Sequence, residues 1–483
     1  MIAPFDGFVG GSYRFPSARI GSQQALNMYP IVHRGKGVRP PYPLTFHPTP
    51  GTRTYATVGS GPIRDILFHD GHCFVISGSE YYRLVASGMS TKVGDILSTA
   101  LPVKIEPNGT GGGQNAVMSG GNLYIHTLAT DAFAQVTDPD LPSSIVSLAF
   151  ADSYFLVAAY RTRQFNYSGR FNGLTWSAGD KAEKSQTVDD LVSLEVSSKE
   201  VWLFGSKTIE VWYNTGDVVA TFAPIQGVLI EHGLMSPRTL RRLAGTLMWL
   251  GQWANGHGQV WMAQGYTPVR VSDDAVEAQW QTYGELDAAY AWTYSETGHP
   301  FYVITFPGKA TWAYDLVTKL WHEMGYLNPE TGDNDPHLGQ CHAHAFGTHL
   351  VGSRIDGTIF ELTHEALYDH DSDPIRRVVR SPHISVTQRP TTINRFEMRP
   401  DVGTAASSGQ GSNPLIMLRY SVDGGRQYSD EIFLPQGAVG EYEQRVGVDR
   451  LGQGFDWVFE VSTSEPITHA WGSASVDIDA DAG

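Results

Sequence analysis

His337, Cys341, His342, His344 and His349 form the densest group of metal-capable side chains in the chain. Residues two apart on a strand share a face, so His342 and His344 would present two imidazoles side by side, a spacing compatible with zinc. No second well-spaced ligand pair accompanies them. The stretch therefore reads as a half-exposed strand with Cys341, Ala343 and Ala345 turned inward, and no metal is assigned. Asp477, Asp479 and Asp481 copy the opening of a calcium-binding loop, but Ala482 stands where that loop needs glycine and no bidentate Glu follows. A solvated acidic end is expected there. Gly109-Thr110-Gly111-Gly112-Gly113-Gln114 has the glycines to approach a phosphate, yet Gln114 replaces the third glycine of a dinucleotide fingerprint and no Lys-Ser/Thr follows. It reads as a loop between repeats. No Gly-x-Ser-x-Gly elbow occurs. Carboxylates are plentiful, but nothing nominates a glycosidase pair among them. The basic run Arg238-Thr239-Leu240-Arg241-Arg242 reads as a strand edge or subunit contact, because a formal net charge of −16 opposes a surface that grips phosphates. No catalytic residue, cofactor-binding residue or cofactor is assigned.

The elements that would carry these residues are strands. Leu191 to Gly216, LVSLEVSSKEVWLFGSKTIEVWYNTG, holds three apolar strand patterns divided by turns at Ser197-Ser198-Lys199 and Gly205-Ser206-Lys207, which is an antiparallel meander read from sequence. One meander cannot bury both faces, so it needs neighbours of its own kind. Its middle strand recurs at Cys73–Gly78, Leu123–His126, Tyr154–Ala158, Val201–Gly205, Leu247–Gly251, Phe301–Thr305 and His349–Ser353. These anchors lie roughly 30 to 55 residues apart, close to the period of a four-stranded propeller blade. The fold class expected is all-β: a β-propeller of seven blades, or alternatively six, since the second spacing is short. With 41% apolar residues, 11% aromatics, 52 Gly and 27 Pro among 483 residues, short strands and turns are favoured over helices. Cys73 and Cys341 fall inside apolar strand patterns and are expected as buried free thiols, not a disulfide framework. The first residues lack the basic and apolar regions of a signal peptide, and no apolar run approaches membrane-spanning length.

Residues 1–50 are dense in proline, including Val38-Arg39-Pro40-Pro41-Tyr42-Pro43, and read as an extended N-terminal arm laid over a surface. The propeller is expected over 51–372, interrupted by a short helix capped by Ser272 or Asp273, with Val276 and Trp280 on one face, and by a polar loop at 326–337. A C-terminal β-sandwich-like domain is expected over 373–483, with a linker at Gly403–Gly409. Within it, Ser421-Val422-Asp423-Gly424-Gly425-Arg426-Gln427-Tyr428 approaches the Asp-box hairpin of sialidase-like propellers, with Gln427 and Tyr428 in place of Thr and Trp. A folding turn is the reading, with the Asp423 carboxylate accepting turn N–H bonds. A glycan-binding or glycan-cleaving propeller is the competing function.

The chain resembles the tail-hub or nozzle proteins of short-tailed bacteriophages, also called tail accessory or packaged-DNA stabilisation proteins. The resemblance is carried by Asn27-Met28-Tyr29-Pro30, Thr49-Pro50-Gly51, Ser206 to Gly216, Val271 to Glu277, and Leu418 to Tyr428 with Gly440-Glu441-Tyr442. It implies a non-enzymatic virion component: a homo-hexameric ring below the portal and its adaptor, extending the DNA channel and retaining packaged DNA until ejection. Tail needle, spike or fibre proteins would attach nearby, and DNA would pass without sequence-specific binding. The protein would be made in the bacterial host cytoplasm.

Overall fold

A computed structural model describes residues 2–33, 43–97, 102–109, 111–217, 219–252, 257–385 and 389–480. Seven four-stranded antiparallel meanders follow one another along the chain, at 63–95, 104–135, 145–183, 191–230, 241–270, 290–327 and 339–363. The seventh has only three strands of its own. Its fourth is Gly51–Thr57, which pairs antiparallel with Thr358–Thr363 through Ile359 opposite Ala56 and Leu362 opposite Thr52.

Each meander buries both faces against its neighbours. Phe74 and Tyr81 of the first pack on Ile105 and Val117 of the second, and Met118 and Leu123 of the second on Leu148 and Phe155 of the third. Leu156 and Phe165 then meet Leu194 and Trp212, and Trp202 and Phe204 meet Leu247 and Trp249. Leu250 meets Tyr302 and Trp312, Val303 meets Val351, and Leu350 and Ile359 return to Ile63 and Val75. The ring of cores is closed, the only arrangement in which no meander leaves an apolar face in water.

Six of the seven anchor segments are the second strands of their meanders, and Leu123–His126 is the third strand of the second meander, which is why its spacing to the next anchor is short. Buried on both faces, those strands read as continuous apolar runs. In the 191–230 meander the turn residues Ser198 and Lys199 have φ of 52° and 68°, the hairpin geometry that twists with its strands. The fourth strand, Phe222–Ile230, lies beyond the stretch read from sequence. The helix Asp274–Gln281 is capped by Asp273, whose carboxylate accepts from the Ala275 and Val276 amides. The Ser272 hydroxyl instead accepts from the Val260 amide and donates to Glu277. Trp280 enters the core against Trp312 and Trp321, as its spacing from Val276 requires. At 326–337, Asn334–Pro336 folds back as a short strand onto Gly325, Tyr326 and Leu327.

Two sheets form the second unit. One runs Met28–Val32, Leu44–Pro48, Trp471–Ala480, Thr391–Pro400, Val446–Gly454, with Ile2–Pro4 also on Trp471–Ala480. The other runs Arg377–Arg380, Val458–Thr463, Leu415–Ser421, Ile432–Pro435. Phe8, Phe46, Phe396, Phe459, Trp457 and Trp471 fill the space between. The reading of residues 1–50 as an arm poor in strand is corrected here: among the described residues five short strands lie within 2–48, all of them paired into the sheets named or into the sheet that bridges the units. Pro30 and Pro48 sit in a two-stranded ribbon at the sheet's edge, where a missing N–H costs little. The proline-dense Val38 to Tyr42 lies outside the described residues. Gly403–Gly409 is a loop inside this unit, with Ala405 buried and the Ala406 amide donating to Gly411, so it links no domains.

One strand joins the two units. Ser22–Leu26 pairs antiparallel with Arg377–Arg380 on one side and touches Leu320–Leu327 of the sixth meander in parallel on the other, Leu26 opposite Glu323. The sixth meander and a sandwich sheet thereby become one eleven-stranded sheet. Nearby, His322 packs between Tyr29 and Phe301 with neither ring nitrogen hydrogen-bonded. Burial pushes its pKa from 6.5 down to about 4.

Ile359→Ala, in the strand that receives Gly51–Thr57, is expected to lower the unfolding free energy by about 2–5 kcal/mol, read from the urea midpoint. His322 gives a pH signature. Between pH 6.5 and about 4 the unfolded chain takes up a proton that the folded imidazole refuses, so this stabilisation is complete above 6.5 and lost on acidification. His322→Phe should therefore narrow the stability difference between pH 7 and pH 5 by about 2 kcal/mol. An unchanged difference would show that the ring is not held neutral.

Candidate functional site

The first strands of the meanders face a central cavity of about 700 Å³. A β-bulge recurs near the start of these strands, between Ile63 and Asp65, Ile145 and Ser147, Leu191 and Ser193, and Gly339 and Cys341. A bulge inserts one unpaired residue and re-aims its side chain. Three of the inserted residues, Arg64, Val146 and Gln340, line the cavity.

The lining is more basic than the chain as a whole. Arg64, Lys104, Arg238, Arg241, Arg242 and Arg354 face three carboxylates, Asp65, Glu106 and Glu195. Lys104 Nζ lies 3.2 Å from Glu106 and 2.9 Å from Glu195, and Arg242 reaches both carboxylates at 4.0 and 3.5 Å. Burial opposes the Lys104 charge, but Glu195 and Glu106 outweigh it and hold its pKa above the lysine norm. Glu106 titrates above the usual carboxylate range because burial and the Glu195 charge outweigh the nearby cations. Glu195, despite its burial, is held below that range by Lys104 and Arg242.

Arg238, Arg241 and Arg354 donate to neutral acceptors. Arg241 donates to the carbonyls of Ala291 and Leu240, and Arg354 to those of His337 and Pro336. Arg238 lies over the Tyr290 ring at 4.8 Å and donates to Gln340 at 3.4 Å. Burial lowers the pKa of both Arg64 and Arg238, and each also feels a neighbouring guanidinium. Within the basic run 238–242, Arg238 and Thr239 lie in the one-turn helix Pro237–Thr239, and Arg241 and Arg242 open the innermost, edge strand of the fifth meander. The other cavity cations come from distant points of the chain, and no local sequence signal announces them.

The His/Cys group is only partly brought together. His342 Nε2 and His349 Nδ1 are 2.9 Å apart and hydrogen-bonded, and the His344 ring stands 5.0 Å from that of His349. Burial pushes His342 down to about 3 and His337 to about 4. His337 is instead occupied with the Gly339 amide, and the Cys341 thiol with the Ile63 carbonyl. Among the described residues no cluster of three or more His, Cys, Asp or Glu is arranged to hold a metal ion. Cys73 and Cys341 are both buried free thiols.

The Asp423 carboxylate accepts from the Ser421 hydroxyl and the Arg426 and Gln427 amides, while Gly424 and Gly425 take φ of 78° and 83°. It is consumed by its own turn. Asp477 and Asp479 lie within the strand Trp471–Ala480, where Asp479 accepts from Asn394, so they form no loop. Asp481 and Ala482 lie outside the described residues, as does Thr110. The remaining glycine segment connects the first two strands within the second meander, not two meanders. Asn108 spans it, donating to Gly112 and accepting from the Gln114 amide.

The geometry defines a β-propeller joined to a β-sandwich. A family model described as bacteriophage P22 Gp10, beta-propeller, matches residues 9–366, and one described as bacteriophage P22 Gp10, beta-sandwich, matches 376–479. The chain belongs to this family of phage tail structural proteins. No curated protein matches it. Solved structures that resemble it include the computationally designed Ika8 protein, at 11% identity and TM-score 0.40, covering 64% of this chain and 99% of that one. Others are virginiamycin B lyase from Staphylococcus aureus, at 9%, 0.42, 62% and 94%, and a streptogramin B lyase, at 9%, 0.41, 72% and 99%. No helix among the described residues is long and apolar enough to cross a membrane.

Lys104→Met removes the cation between two partly buried carboxylates and is expected to cost about 3 kcal/mol, the low end for breaking a buried pair. Arg242→Ala, whose side chain is 55% exposed, should cost under about 1 kcal/mol. Equal losses in urea unfolding would contradict this division.

Proposed function

We propose that the chain forms a six-fold tail hub or nozzle below the portal and its adaptor, extends the DNA channel, and helps retain packaged DNA until ejection. The observation that carries this reading is the pair of family matches, which together span both units of the chain. The closed ring of meanders supports it physically. A closed ring leaves only short outer sheet edges and offers many separate loops as contact surfaces.

In this reading the seven meanders are seven blades. The propeller occupies 51–372 and the sandwich 373–483, with residues 1–50 laid into the second unit. Copies join through heterologous contacts that close by rotation. The sandwich offers apolar side chains for them, Phe433 at 60% and Tyr442 at 72% exposure. Portal and adaptor proteins bind one end of the ring, and needle, spike or fibre proteins the other. DNA passes without sequence-specific contact. The protein acts in the virion after synthesis in the host cytoplasm, with no catalytic residue, metal or cofactor. A glycan-cleaving function is not favoured, because the family matched over both units is one of phage structural proteins.

Quantitative peptide mass spectrometry of purified particles tests the assignment. A copy number near half that of the portal is expected. Absence from the particle, or a count unrelated to the portal, would overturn it.

A further inference from the structure

The closing strand Gly51–Thr57 is the outermost of the seventh sheet and pairs on one edge only, with Thr358–Thr363. Its other edge needs partners from elsewhere. The chain leaving the ring supplies them. Between Thr363 and Arg377 it folds into a short hairpin, Tyr368–Asp369 against Asp373–Pro374, with His370 and Asp371 at φ of 45° and 70° in the tip. Asp371 accepts from the Thr54 amide at 2.8 Å and the Thr54 hydroxyl at 2.6 Å, and its own amide donates to the Thr52 carbonyl. The Thr52 hydroxyl accepts from the His370 amide and donates to Asp369, both at 3.0 Å. A Cβ on Gly51 would stand within 2.6 Å of the Ala366 and Tyr368 carbonyl oxygens, so glycine is what lets the segment lie so close to the strand.

The Asp369 carboxyl is buried under this segment, the residue being 5% exposed. Burial pushes its pKa from 3.8 up to about 7; the Thr52 bonds and the Arg377 charge oppose the rise, and Asp373 adds to it. Arg377 is no tight counter-ion. It is buried itself, donates at 3.4 Å to the Ile375 carbonyl, and among the described residues finds no partner for its Nε. The other ionisable groups nearby are already engaged. Asp373 accepts from the Tyr326 hydroxyl at 2.6 Å and lies 3.8 Å from His370 Nδ1. Asp371 is held below the usual carboxylate range by the Thr54 hydroxyl and amide. His469, which feels the Arg377 charge, is pushed down to about 3 by burial.

We propose that residues 364–376 form a proton-controlled strap on ring closure: with Asp369 neutral the strap clamps the closing strand, and loss of that proton releases it. Release bares the Thr52 carbonyl and the Thr54 amide, the outer-edge groups of Gly51–Thr57. Detached, the Asp369 carboxyl meets water and titrates near 3.8; docked, it keeps its proton up to about pH 7. Docking is therefore strengthened as pH falls below 7, and the gain is absent above it. The device belongs to the fold and is independent of what the chain assembles with.

Hydrogen exchange of the full-length chain at pH 5 and pH 8, resolved to the Thr54 amide and corrected for the intrinsic rate, tests this. Protection about tenfold or more greater at pH 5 is expected. That sign is opposite to the acid loss at His322, so general stability does not produce it. Asp369→Asn should keep Thr54 protected at both pH values. Asp371→Gly, at the exposed tip, should remove the protection at both, and it decides whether the strap is the protecting element even if Asp369→Asn misfolds. The proposal is overturned by equal wild-type protection at pH 5 and pH 8, by a pH difference that survives Asp369→Asn, or by protection that survives Asp371→Gly.

Discussion

Ring closure by Gly51–Thr57 against Thr358–Thr363 is the constraint from which the remaining architecture follows. Seven meanders can bury all their faces only if the seventh meets the first, and the fourth position of the seventh sheet is filled from the other end of the chain. Closing a loop of some three hundred residues costs roughly 5 kcal/mol in chain entropy. The apolar cluster of Ile63, Val75, Leu350 and Ile359 forms only on closure and offsets that cost. Closure also fixes where the flanking chain must lie. Residues before Gly51 and after Thr363 leave the ring side by side, so the N-terminal strands and the C-terminal unit are delivered to the same place. That is why residues 2–48 end up inside the sheets of the second unit.

The same geometry explains the distribution of charge. The second and third strands of each meander are consumed by the inter-meander cores, which leaves polar side chains to the two edges. The outer edge strands, such as Lys181–Glu183 and Thr267–Arg270, meet water. The inner edge strands converge, and any ionisable group placed there faces several others across a short distance. A chain of net charge −16 thus carries a basic centre without contradiction. Net charge describes the whole surface, whereas the cavity samples one edge from each meander.

Sequence reading succeeded where side-chain burial was continuous and failed where it was not. Tyr154–Ala159 and Glu200–Gly205 are almost wholly buried and read as unbroken apolar runs. Outer strands such as Lys181–Glu183 have no such pattern, since one edge and most side chains face solvent. The N-terminal strands were hidden by their prolines, which are tolerated because Met28–Val32 is an edge strand. The cavity shows the same limit. Its basic run 238–242 was visible as a cluster, but Arg64 and Arg354 are isolated in sequence and come together only through ring closure. At the acidic end Val476 and Ile478 alternate with Asp477 and Asp479, a half-buried strand pattern legible in sequence through Ile478.

The joint between the two units is better described as a continuation of sheet than as a linker. Asn27, held at φ 54°, donates from Nδ2 to the carbonyls of Gly325 and Arg376, both at 2.9 Å, and accepts from the Gly325 amide. One buried side chain thereby ties the sixth meander to the segment entering the sandwich. Beside it Gln24 donates to Glu323, and Ser22 to the Ser381 carbonyl. Polar groups buried this deeply are costly unless paired, so the joint has one low-energy register, and sliding by a residue would orphan several of them at once. Rotation about the joint would break the same bonds. The orientation of the sandwich relative to the ring is therefore set by backbone and buried side-chain hydrogen bonds, and the N-terminal strands that look peripheral in sequence are what enforce it.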